Sequence, residues 1–188
     1  MLWLVAGLIM FHGLHSVRMI APDWREAQIA SMGEGKWKGL YSLLSIAALV
    51  LLIYGYSVAR QSFTLVYFPP TWGLHPALVL MLLAFVLMTF NMRSSRFRRI
   101  VHHPFLAAIV LWSVAHLLVN GDLASVLLFG SFLVWAICNW YVATNRKDPL
   151  PPVAPLFHDV AAIIFGIALW VLFIWGAHEW LFGVSPIA

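Results

Sequence analysis

Cysteine is nearly absent from this chain. Cys138 is the single one among 188 residues, so no internal disulfide can form and the redox compartment is left open. Charged side chains are scarce as well, at 10% of residues, which excludes an ordinary hydrated protein surface. The catalytic signatures HExxH, the Gly-rich phosphate loop and CxxC are missing, and so is the CxxCH of covalent haem attachment. No internal repeat is visible. The first twenty residues lack a basic opening, and their apolar run carries His12, His15 and Arg18. The expectation is therefore a permanent first span, not a cleaved signal.

What fills the chain is apolar. Hydrophobic residues make up 63% of it and mean hydropathy is +0.91. A membrane span needs roughly 20 apolar residues. Six stretches qualify: Leu2–Ile20, Gly39–Val58, Leu74–Met92, Pro104–Val119, Leu123–Val142 and Phe157–Phe182. The fourth is short, and Pro104 suits the first turn of its helix. Nothing the size of a soluble domain is left over, so residues 1–188 read as one transmembrane domain.

The charges give this count a direction. Net charge is +4, but the basic residues form no nucleic-acid patch. Arg18, Arg25, Lys36 and Lys38 flank the first loop; Arg93, Arg96, Arg98 and Arg99 fill the third; Arg146 and Lys147 lie in the fifth. Arg60 alone falls on the other side. Short loops rich in Lys and Arg stay cytoplasmic. The expected fold class is thus an all-α integral membrane protein, a bundle of six transmembrane helices with both termini on the non-cytoplasmic side.

The loops carry their own signals. Pro22, Asp23 and Trp24 open an amphipathic first loop suited to a short interfacial helix, with Trp24 and Trp37 at headgroup level. The second loop holds Pro69-Pro70. Asn120-Gly121-Asp122 reads as a tight turn, with Gly121 able to take positive φ and Asp122 able to cap the next helix. Spans four and five then form an antiparallel hairpin. Four prolines between Asn145 and Pro155 preclude a continuous helix there.

Histidines inside apolar spans are costly and mark functional sites by default. His12, His15 and Arg18 share one face of the first span; they are interfacial and hydrogen-bonded residues, or they hold a ligand. On the fourth span Ala108, Trp112, His116 and Asn120 recur every four residues, with Ser113 three before His116. That stripe suits helix packing around one hydrogen-bonded histidine, or the edge of a haem with an imidazole held at its other nitrogen. His103, before Pro104, is interfacial or pairs with Arg96 and Arg99 to bind a propionate or phosphate. His158-Asp159 and His178-Glu179 read as anchors at the two ends of the last span, and His75-Pro76 is a weak signal.

Taken together, Arg99, His103-Pro104, Trp112, His116-Leu117 and Asn120-Gly121-Asp122 resemble the NnrU family of bacterial membrane proteins. His15-Ser16 with Arg18, and Gly33-Glu34 before Gly39-Leu40-Tyr41-Ser42, agree. The resemblance covers most of the chain and relates it to 15-cis-ζ-carotene isomerase, an integral membrane enzyme with haem b. It implies one non-covalent haem b, with His15 and His116 as axial iron ligands. Trp112 and Asn120 would support His116, and Arg96, Arg99 and His103 would contact propionates or lipid head groups. It further implies a bacterial inner-membrane protein linked to nitrogen-oxide metabolism in denitrification, or to cis–trans isomerisation of a hydrophobic substrate. The partner is then the bilayer, with a hydrophobic small molecule or nitric oxide as ligand. Both ligands have to be neutral imidazoles, so haem retention is expected to weaken at acid pH.

Ser113 stands where the isomerase has a cysteine, so a histidine–cysteine ligand switch cannot operate at that position. His15 lies about 7 Å from the cytoplasmic end of its span and His116 about 18 Å beyond Pro104; His12, one turn deeper, is the alternative ligand on span one. Two other classes remain open. One is a non-catalytic assembly or electron-transfer protein. The other is a membrane methyltransferase, whose paired glutamates this chain lacks after Asp122.

Overall fold

The computed structural model describes residues 1–90, 96–146 and 152–187, with the side chain of Phe97 excepted. Arg93 and Lys147, two of the counted basic residues, lie outside them. The described regular structure is helical, apart from one isolated bridge between Leu65 and Asp122. Helix α1 spans Leu2–Ile20, α2 Pro22–Met32, α3 Glu34–Ala59, α4 Leu74–Phe90, α5 Pro104–Leu117, α6 Leu123–Asn145 and α7 Leu156–Leu172. A π turn at Phe173–Ala177 leads into the short α8, His178–Phe182.

Four helical stretches are long and apolar enough to cross a membrane: Leu2–Ile20, Glu34–Ala59, Leu123–Asn145 and Leu156–Phe182. Helices α4 and α5 are equally apolar but shorter, at 17 and 14 residues. At 1.5 Å per residue they run about 26 and 21 Å, against a hydrocarbon core of about 30 Å. Large apolar side chains point outward throughout, Trp175 and Trp180 being 84% and 83% exposed. A soluble monomer rarely shows so much apolar surface; lipid is the solvent that suits it.

The chain falls into two compact units. The first holds residues 1–68 and 121–131. There α1 and α3 pack antiparallel at close range, because glycines face backbone. A Cβ on Gly7 would come within 2.7 Å of Leu52 Cα, and one on Gly55 within 2.4 Å of the Leu4 nitrogen. Leu4, Leu8, Ala48 and Leu52 are buried along this seam. Small residues permit such approach in apolar surroundings, where dispersion replaces the hydrophobic drive. Helix α2 is the short helix expected in the first loop: Pro22 occupies its first turn, none of its residues is buried, and Gly33 ends it at φ 86°. Trp24 packs edge-on to Trp37 at 5.9 Å.

The Asn-Gly-Asp turn differs from expectation in one respect. Left-handed φ among the described glycines occurs at Gly33 and Gly183, so Gly121 does not close the turn that way. Its carbonyl instead accepts from the Val66 and Tyr67 amides, and the Leu123 amide donates to Thr64. The extended second loop supplies the partners that a left-handed glycine would otherwise make unnecessary. Asp122 does cap α6, accepting from the Ser125 amide at 3.0 Å.

The second unit holds residues 69–120 and 132–188. In it α4 packs against both α5 and α7. The α4–α7 pair is antiparallel: Thr89 Oγ1 donates to Ala162 O at 2.8 Å, Trp170 Nε1 donates to Leu78 O at 3.1 Å, and Gly166 admits Val86.

Candidate functional site

Helix α5 builds the centre of the site. Pro104 starts it, and Ala107, Ala108, Ser113 and Ala115 are buried along it. These small residues let α5 lie close to α4 and leave the bulk of Trp112 and His116 to define the remaining face. His116 Nδ1 donates to the Trp112 carbonyl, one turn back, at 2.8 Å. A carbonyl only accepts, so Nδ1 carries the proton and Nε2 carries the lone pair. This is how a metal-ligating histidine is normally held. The Trp112 ring stands 5.1 Å from the imidazole and 5.5 Å from Phe132.

Asn120 is brought to His116, though not to its ring. Its Nδ2 donates to the His116 carbonyl at 2.9 Å, and the backbone amides of Val119 and Asn120 donate there too. The amide therefore closes the helix C-terminus and fixes the backbone under the imidazole. Ser113 is fully buried, and its Oγ makes no hydrogen bond among the described residues.

In the first unit, His15 repeats the arrangement of His116. Its Nδ1 donates to Phe11 O at 2.7 Å, and the ring stacks on Phe11 at 4.1 Å with Tyr41 edge-on at 5.7 Å. His12 is set the other way. Ser131 Oγ gives its single proton to Leu128 O, so it accepts from His12 Nε2 at 3.2 Å. The lone pair of His12 then lies on Nδ1, the nitrogen nearer its own backbone.

Arg96, Arg99 and His103 precede α5, at the end opposite His116. His103 precedes Pro104 at the helix start, and the Arg99 amide donates to Arg96 O in the turn Phe97–Arg99. His116 stands thirteen positions after His103, about 20 Å along the axis. Both arginines are exposed.

One residue near the centre escaped the sequence reading as a site residue. The His178 ring lies 6.5 Å from that of His116, with the planes 27° apart. Its Nδ1 donates to Val184 O at 2.6 Å, so its lone pair also lies on Nε2. The signal available in the sequence was Gly176, a helix-weakening residue two positions before a histidine near the end of a span.

A family model described as NnrU protein matches residues 3–186. No curated protein and no solved structure matches the chain.

Proposed function

The chain belongs to the NnrU family, and on that footing we propose that it holds one haem b in the membrane through histidine ligation. The observation that carries this reading is the tautomer of His116. Its Nδ1 proton is committed to Trp112 O, which turns a neutral Nε2 lone pair outward from a helix of small and apolar residues. The donor set fits haem: imidazole nitrogens with flat aromatic neighbours. The resemblance makes His15 the second ligand, and the bond from His15 to Phe11 O supports that choice over His12. Trp112 fixes the imidazole through its carbonyl, and Asn120 fixes the helix end beneath it.

Bound there, haem would supply a redox-active iron in apolar surroundings. The protein's own part is to exclude water, hold the imidazoles neutral and admit ligands from the lipid side. A hydrophobic substrate undergoing cis–trans isomerisation, or nitric oxide, suits such a site. Arg96, Arg99 and His103 are better placed for lipid phosphates at the membrane surface than for propionates of a haem on His116. We place the chain in a bacterial inner membrane with six spans and both termini outside; the ten-to-one split of basic residues supports that topology.

The test is an absorption spectrum of the detergent-purified protein, oxidised and dithionite-reduced, after expression with ample haem. A sharp Soret band with low-spin α and β bands is expected, lost or converted to high-spin in His116→Ala. Wild-type protein that carries no haem under these conditions sinks the reading.

A further inference from the structure

His15 and His116 share a local device. In each, the residue four positions back is aromatic and its carbonyl accepts the Nδ1 proton: Phe11 for His15 at 2.7 Å, Trp112 for His116 at 2.8 Å. That bond fixes the tautomer and pins one edge of the ring. It sets the tilt of the imidazole plane only loosely, because a carbonyl accepts from a broad range of directions. What lies against the ring then decides the tilt, and here the two histidines differ. Trp112 meets His116 at 5.1 Å with the planes 52° apart, whereas Phe11 lies nearly parallel to His15, at 4.1 Å and 20°.

His15 also meets a ring from a second helix. Tyr41 of α3 stands 5.7 Å from the imidazole, with its plane inclined at 64°. Phe11 belongs to the same helix as His15 and turns with it. Tyr41 does not, so it is the wall that fixes the imidazole relative to the rest of the unit. It is backed in turn. Trp37, one turn earlier on α3, stacks on Tyr41 at 6.4 Å and 28°, and Trp24 of α2 meets Trp37 at 5.9 Å. All five rings belong to the first compact unit, and the seam closed by Gly7 and Gly55 holds α1 and α3 at the spacing this contact needs. The plane of an axial imidazole matters because it decides which iron d orbitals the ligand donates into. Through them it tunes the g-values and reduction potential of the haem.

We propose that Tyr41 is a positioning residue for the iron: its ring, braced by Trp37, sets the plane of the His15 imidazole on the haem. The proposal rests on the haem reading and on His15 as a ligand. The test is low-temperature electron paramagnetic resonance, with a redox titration, on the full-length, haem-loaded protein in detergent. Tyr41→Leu is expected to stay low-spin while its largest g-value moves and its midpoint potential shifts. Tyr41→Phe, which keeps the ring, is expected to match wild type. So is Tyr54→Leu, which removes a tyrosine of the same helix that packs on Trp3 instead. Wild-type g-values in Tyr41→Leu overturn the assignment. An equal shift in Tyr41→Phe overturns it too, by giving the role to the hydroxyl, and an equal shift in Tyr54→Leu does so by showing general loosening of α3. Should Tyr41→Leu hold no haem, Trp37→Leu decides: a moved g-value supports the brace, and an unmoved one overturns it. Two other failures are distinct. His15→Ala with the wild-type spectrum removes His15 as a ligand and this proposal with it, while the haem stays. A wild-type protein without a Soret band removes the haem reading itself.

Discussion

Ser113 and Asn120 flank His116, three residues before it and four after it, yet their side chains do opposite things. Asn120 adds a side-chain donor to a helix-end carbonyl that the Val119 and Asn120 amides also reach. Ser113 buries a hydroxyl without a partner among the described residues. A buried hydroxyl without a hydrogen bond costs roughly 1–3 kcal/mol by protein mutational scales. Ser113→Ala is therefore expected to leave thermal stability in detergent unchanged or raise it, whereas Asn120→Ala is expected to lose about 1 kcal/mol. A matched pair of unfolding curves checks both. A clear loss in Ser113→Ala would reveal a partner for that hydroxyl. The four-residue spacing made the Trp112–His116 bond legible, since it is local to one helix. It could not tell whether Asn120 would reach the ring or the backbone, because that depends on how the helix ends.

Helices were the most legible level of the chain. The first span begins and ends where its apolar run does, and Pro22, Pro104 and Asp122 mark helix starts as proline at N1 and an N-cap should. Two features escaped. Gly121 is able to close the turn in a left-handed conformation, but its carbonyl pairs with the second loop instead; a turn's chemistry is local, whereas these partners, Val66 and Tyr67, come from far up the chain. The π turn before His178 escaped because hydropathy continues unbroken across it, and a periodicity argument assumes one ladder throughout. The helix seam of the first unit offers a sharp test at this scale. Gly7 and Gly55 each meet backbone atoms of the facing helix, which cannot swing aside as a side-chain tip would. Gly7→Ala and Gly55→Ala are each expected to separate α1 from α3 and to destabilise by about 1–3 kcal/mol or more. Gly13→Ala, at a site with nothing within 4 Å, is expected to be neutral. Denaturant titration in mixed micelles separates the two cases, and equal midpoints for all three variants would mean that the seam is loose.

At the scale of the whole molecule, length and charge have to be weighed together. Length alone marks four stretches as able to cross a bilayer. Charge asks for six crossings, since removing α4 and α5 as a pair would place the arginines around Arg96 outside the cytoplasmic side or leave the apolar α4 and α5 in water. Burying two short helices costs little: a bilayer thins locally at fractions of a kcal/mol per ångström of mismatch, and exposing 31 mostly apolar residues to water would cost far more. This balance favours the six crossings proposed above over four. The exposed cysteine at Cys138 makes the topology measurable. With Cys138→Ala as background, Ser31→Cys in α2 is expected to be shielded from a membrane-impermeant maleimide added to intact spheroplasts. Ser62→Cys, just past the end of α3, is expected to react. Labelling of both after permeabilisation verifies that each thiol is accessible in the folded protein. Reversed labelling would invert the molecule and move the His116 end of α5 to the cytoplasmic face; Ser62→Cys reacting with Leu118→Cys silent would put an odd number of crossings between them and dismiss the six-span count.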